Sequence, residues 1–127
     1  MALVAGCSDD DGRESATEPA SPPPAPSPAE PRLRPARCPA GLSGCRVASG
    51  RILYVERVDP DGDGDAHFVL ASRQAITSPG ISVIDVRRDL RPKPLPGPGD
   101  RLSAAGPVQR GSYGQRQIEA VQVTVAR

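Results

Sequence analysis

Aromatic side chains are almost absent from this chain: its 127 residues hold two tyrosines (Tyr54, Tyr113), one phenylalanine (Phe68) and no tryptophan. Modules that grip single strands of nucleic acid stack the bases on aromatic rings. Three rings, with Phe68 assigned to the core, do not make such a platform, so nucleic acid is disfavoured as a partner. Histidine is equally scarce, His67 being the only one, and no Ser/His/Asp or Cys/His arrangement for nucleophilic catalysis rises above chance. Long apolar runs are missing, so no segment of the sequence is long enough to span a bilayer. A sustained helical period is missing too, because proline and glycine interrupt every run. Lysine is represented by Lys93 alone, so the basic charge is almost entirely arginine. With abundant Ala, Gly and Pro, this matches a GC-rich coding sequence. The arginines therefore have two readings, compositional bias on a solvated surface or an anion-binding surface.

What is present divides unevenly. Residues 8–35 read "SDDDGRESATEPASPPPAPSPAEPRLRP", with almost no large apolar side chain. Such a stretch buries too little surface to offset the entropy of ordering it, and its clustered prolines favour an extended spacer. From residue 37 onward, short apolar runs alternate with turns, leaving about 90 residues for one small core. Charge divides at the same place. Before Arg32, six acidic residues face Arg13 alone; from Arg32 on, 15 basic residues face nine acidic ones, a net of about +6.

The opening "MALVAGCSDDDG" resembles the end of a bacterial lipoprotein signal peptide, with Val4-Ala5-Gly6-Cys7 matching its lipobox position by position. The resemblance implies a lipid on the Cys7 sulfur, membrane attachment through buried acyl chains and an extracytoplasmic location. Residues 1–6 are then the remnant of a signal whose earlier part lies upstream, and 7–37 a disordered acidic and Pro-rich tether. The remaining cysteines fit that address. In "CPAGLSGC", Cys38 and Cys45 stand seven apart with Pro39, Gly41 and Gly44 able to turn the chain, and outside the cytoplasm such a pair oxidises to a disulfide. The rival readings are a thiol redox pair, which usually reads Cys-x-x-Cys, or metal ligands, which need more Cys or His than this chain holds.

Residues 38–127 read as all-β. Five strands are expected: "RILYVERVD" (51–59), "AHFVLAS" (66–72), "ISVIDV" (81–86), "DRLSAAGPV" (100–108) and "RQIEAVQVTVA" (116–126). The last changes parity between Ile118 and Val121, so a bulge near Glu119 is expected. Between the third and fourth, "RRDLRPKPLPGPG" holds at most one helical turn. Five short strands, a hairpin after the first and a longer third connection suit a small five-stranded OB-fold-like barrel. The block from Gly50 to Val125 also resembles a group of small secreted bacterial OB-like proteins. The resemblance is carried by Asp63-Gly64-Asp65-Ala66-His67 in the first hairpin, by Gly99 to Gly106 and by Gly114 to Glu119; it brings no activity with it.

The run "DPDGDGDAHF" admits two readings. Asp59, Asp61, Asp63 and Gly64 match the first half of a calcium loop, but Leu70 stands where the bidentate glutamate belongs. Together with Asp65 these carboxylates compose a weak calcium site or, on the bland account, a hairpin loop in which Asp and Gly supply the special backbone conformations. His67, at the start of a strand, is expected to face solvent or cap that turn. Two functions follow. The first is a monomeric, non-enzymatic binding or accessory module, with His67, Arg87, Arg88, Arg91 and Lys93 as ligand-binding candidates for the phosphate or carboxylate groups of a cell-surface polymer, or for a protein partner. The second is a metal-dependent hydrolase or nuclease-like enzyme using the 59–65 cluster.

Overall fold

The computed structural model describes residues 6, 19–24, 32–56 and 64–127. The chain is all-β, with strands β1 (Cys45–Glu56), β2 (Ala66–Ser72), β3 (Ile81–Val86), β4 (Arg101–Arg110), β5 (Arg116–Glu119) and β6 (Gln122–Ala126). A single 3-10 turn, Arg88–Leu90, occupies the proline-rich connection between β3 and β4. β2 and β3 coincide with their expected bounds. β1 starts six residues earlier than expected and is described as far as Glu56, the rest of its expected span lying outside the described residues, while β4 runs on to Arg110. The expected fifth strand is two strands. The break has a cause in hydrogen bonding: Ala120 N–H donates to Asp85 O (2.9 Å) and Val121 N–H to Ala105 O (2.8 Å), so the chain changes partner strand between these two residues.

The sheet closes on itself. β1 pairs antiparallel with both β2 and β4, β2 with β3, β3 runs parallel to β5, and β5 pairs with β4, so β1-β2-β3-β5-β4 form a ring with β6 on the remaining part of β4. The two long strands serve several neighbours, β1 pairing with two strands and β4 with three, and each carries a glycine where it passes from one partner to the next. Gly50 faces Ser72 of β2 and Leu102 of β4 at once. A Cβ on Gly50 would stand 1.9 Å from the Ala71 carbonyl oxygen, and one on Gly106 would stand 1.8 Å from that of Glu119. A glycine inside a strand marks such a close backbone approach.

Alternation decides which side chains point inward. Along β2, Ala66, Phe68, Leu70 and Ser72 are buried while His67, Val69 and Ala71 face outward. Phe68 packs with Ile52, Leu70, Ile84, Val86, Leu102 and Ile118 in the centre of the ring. Small side chains, Ala48, Ala104 and Ala120, fill the tight places. The buried hydroxyls are matched, since Ser82 Oγ donates to Ser72 Oγ (2.9 Å) and Ser49 Oγ to Ser103 Oγ (2.7 Å), which removes the cost of burying unpaired polar groups.

Cys38 and Cys45 form a disulfide, with Cα atoms 5.9 Å apart. It contributes about 2–3 kcal/mol in the chain-entropy view. It also ties the preceding segment to the start of β1. Residues 34–37, which composition assigns to the tether, lie along the sheet: Ala36 is buried and its N–H donates to Ser103 Oγ (2.9 Å), Arg37 N–H bonds Gln122 Oε1 and Thr124 Oγ1 bonds Arg34 O.

Candidate functional site

The register builds a row of polar side chains across the outer face. Glu56 stands opposite His67, and His67 opposite Asp85. Directly opposed residues on one face are near enough to interact. Here the ring is held from both sides: Nδ1 lies 3.4 Å from Glu56 Oε2 and Nε2 3.4 Å from Asp85 Oδ1. The row continues into β5 and the hairpin before it. Gln117 Nε2 donates to Asp85 Oδ2 (3.4 Å), Gln115 Nε2 to Gln117 Oε1 (3.3 Å), and Tyr113 N–H to Gln115 Oε1 (3.1 Å).

This environment raises the His67 pKa from 6.5 to about 9: the pull of Asp85 on the ring proton is the largest cause, burial opposes it, and the charge of Asp85 followed by the contact and charge of Glu56 add to the rise. Asp85 Oδ1 is buried without an aligned hydrogen bond. The expectation that His67 faces solvent or caps the turn needs correcting, since its side chain keeps only 18% of its exposure and sits inside a three-strand charge row. An imidazolium has no lone pair for a metal or for a proton from substrate. The two carboxylates also approach different ring nitrogens, so they do not converge with the ring on one ion. Among the described residues no group of three His, Cys, Asp or Glu side chains could hold a metal.

Asp59, Asp61, Asp63 and Cys7 lie outside the described residues. The end of the aspartate run is described, and it is met by cations. Arg91 Nη1 donates to Gly64 O at 3.0 Å, and the side chain of Arg88 lies over Gly64, 3.2 Å from where a Cβ would be. The Arg91 guanidinium thus brings positive charge to Gly64, and the aliphatic stem of Arg88 covers that glycine.

The basic candidates of the third connection divide in space. Arg88, Arg91 and Lys93 line one concavity of about 300 Å³ with Pro92 and Leu95. Arg87 points elsewhere, 3.6 Å from Asp89 on the surface, and His67 belongs to the charge row. Three further concavities are also arginine-lined. One holds Arg51, Arg73 and Arg101, another Arg34 and Arg37. The third, of about 450 Å³, holds Arg46, Arg110 and Arg116. Among the described residues no carboxylate lines any of the four. Sequence reading missed the last group. Its signal was available in the turn "GSYG": a hairpin closing over residues 111–115 sets Arg110 opposite Arg116.

No family model matches the chain, and neither a curated protein nor a solved structure matches it in the comparisons made.

Proposed function

We propose that this chain is an extracytoplasmic, lipid-anchored binding module, an OB-like barrel that holds anionic groups of a cell-surface polymer and catalyses no reaction on them. One observation carries the reading: four surface concavities are lined by cationic side chains, almost all arginine, with no carboxylate among the described residues that line them. Compositional bias accounts for having many arginines, but it does not account for gathering them in shared hollows. Guanidinium groups present paired donors that match phosphate and carboxylate oxygens. The locked His67 supports a binding role over hydrolysis, because it offers neither a base nor a metal ligand. The strand order, with β3 parallel to β5 closing a five-stranded ring, supports the OB-like assignment, and OB barrels commonly bind on outer faces and loops.

The disulfide supports the oxidising compartment, and the Cys7 lipobox supports the anchor. Fatty-acid labelling in the native host should mark the wild-type product and not Cys7→Ala; equal labelling ends the anchor. For the module, binding of long-chain polyphosphate and of a polyuronate is measured calorimetrically at low and high ionic strength. Binding that weakens steeply with salt is expected. Absence of binding to both polymers at low salt overturns the reading, and so does turnover of a phosphodiester or ester that is lost in Asp63→Ala.

A further inference from the structure

The four concavities are not equivalent. Around the third connection, Arg91 is already spent on the Gly64 carbonyl and Arg88 lies beside the aspartate run. In the groove of Arg51, Arg73 and Arg101, two of the three arginines hold other interactions. The hollow of Arg34 and Arg37 is built partly from the segment that precedes the disulfide. The hollow at the far end of β1 differs from all of these.

Its arginines come from three strands: Arg46 from the start of β1, Arg110 from the end of β4 and Arg116 from the start of β5. Among the described residues none of the three has an ion-pair partner. Arg110 and Arg116 are direct cross-strand partners in register. Like charges placed directly opposite destabilise a sheet. That cost is removed when an anion lies between them. Arg110 is also aimed. Its Nη1 donates to Gly114 O at 3.2 Å, and that carbonyl is presented by a turn in which Gly114 takes φ +79° and donates its own N–H to Gly111 O (2.9 Å). The turn thus commits one donor of Arg110 and leaves the rest of its fork for a ligand.

We infer that Arg46, Arg110 and Arg116 form a binding site for a phosphate group. Three guanidinium groups approaching from three strands suit a tetrahedral oxyanion, which accepts bonds in several planes, better than a flat carboxylate. The inference rests on the anionic-polymer reading and gives it a primary site and a ligand group. The source is either free phosphate or a phosphoryl group within a polymer.

The test uses the full chain at low ionic strength without divalent metal. Thermal melts are recorded with inorganic pyrophosphate, with long-chain polyphosphate and with chloride at equal ionic strength. Pyrophosphate should raise the melting temperature of the wild type beyond the chloride control, by ligand linkage. R110Q and R116Q should each melt higher than the wild type without ligand, because the like-charge pair is gone. Both should lose the pyrophosphate rise, with at least a tenfold weaker affinity by calorimetry, while R87Q, whose side chain faces Asp89 outside the four hollows, keeps it. A larger rise with polyphosphate that R116Q reduces but does not abolish identifies a polymer phosphoryl group reaching neighbouring grooves. A rise with pyrophosphate equal to that with polyphosphate identifies the free anion. A wild-type response retained in both R110Q and R116Q overturns the site while leaving the polyanion reading standing. Ligand-free variants that melt lower than the wild type also count against it. No binding of polyphosphate by the wild type removes both.

Discussion

Replacing Gly50 or Gly106 by alanine should destabilise the domain by about 3 kcal/mol or more, the upper range for forcing atoms into packed space. Each new Cβ falls within 2 Å of a carbonyl oxygen on another strand, Ala71 in one case and Glu119 in the other. Neither neighbour is the end of a flexible side chain, so the backbone must separate. At both places the separation opens the ring. Gly50 sits where β1 passes from β4 to β2, and Gly106 lies between the part of β4 paired with β6 and the part paired with β5. For a small domain of about 5 kcal/mol stability, either variant should keep about 2 kcal/mol or less and unfold at a much lower urea concentration than the wild type. The control is Gly97→Ala, where nothing lies within 4 Å and φ is not positive; it should change stability by no more than about 0.5 kcal/mol. Urea melts of the three variants decide the matter. Gly50 and Gly106 variants as stable as Gly97→Ala would show that the strands do not approach as described.

Raising the pH should weaken the fold through His67. The folded pKa of about 9 lies above the unfolded value of 6.5, so the folded chain holds this proton more tightly. The stabilisation is complete below pH 6.5 and is lost as pH rises through 9. The full linkage value is about 3.4 kcal/mol. Both carboxylates keep contact with solvent, and screening reduces the value to about 1–2 kcal/mol. The melting temperature should then fall by about 5–10 °C between pH 6.5 and 9.5. His67→Gln should remove most of that slope and be less stable than the wild type at pH 6.5, because Glu56 and Asp85 lose the cation between them. A wild-type melting temperature that is flat across this range, or a slope unchanged in His67→Gln, contradicts the charge row.

How far the sequence could be read depended on whether a feature was local. β2 and β3 were legible to the residue because "AHFVLAS" and "ISVIDV" are short, apolar and bounded by turn residues. The first half of β1, "CRVASG", was not. Its side chains are mostly small or polar and only Ala48 is fully buried, and its strand character comes from pairing with β4, more than 50 residues away. The parity change after Ile118 announced an irregularity, but only the partners of Ala120 and Val121 show that it ends one strand and begins another. The same contrast holds at the site. The arginines of the third connection are neighbours in sequence and were seen together. Glu56 and Asp85 became partners of His67 through two registers that the sequence does not display. Arg46 joins Arg110 and Arg116 through a third, the pairing of β1 with β4.

The claim at the centre of this account is that the arginine-lined hollows, led by that of Arg46, Arg110 and Arg116, are where the domain meets an anion. Arginine side-chain Nε–Hε resonances report on this one residue at a time. They should be followed as long-chain polyphosphate is added to the full chain at low ionic strength, and again in high salt. The resonances of Arg46, Arg110 and Arg116 should move first and together, with the His67 ring resonances unchanged, and high salt should abolish the movement. Arginine resonances that stay fixed at low salt, or movement confined to His67 and its row, would contradict the account.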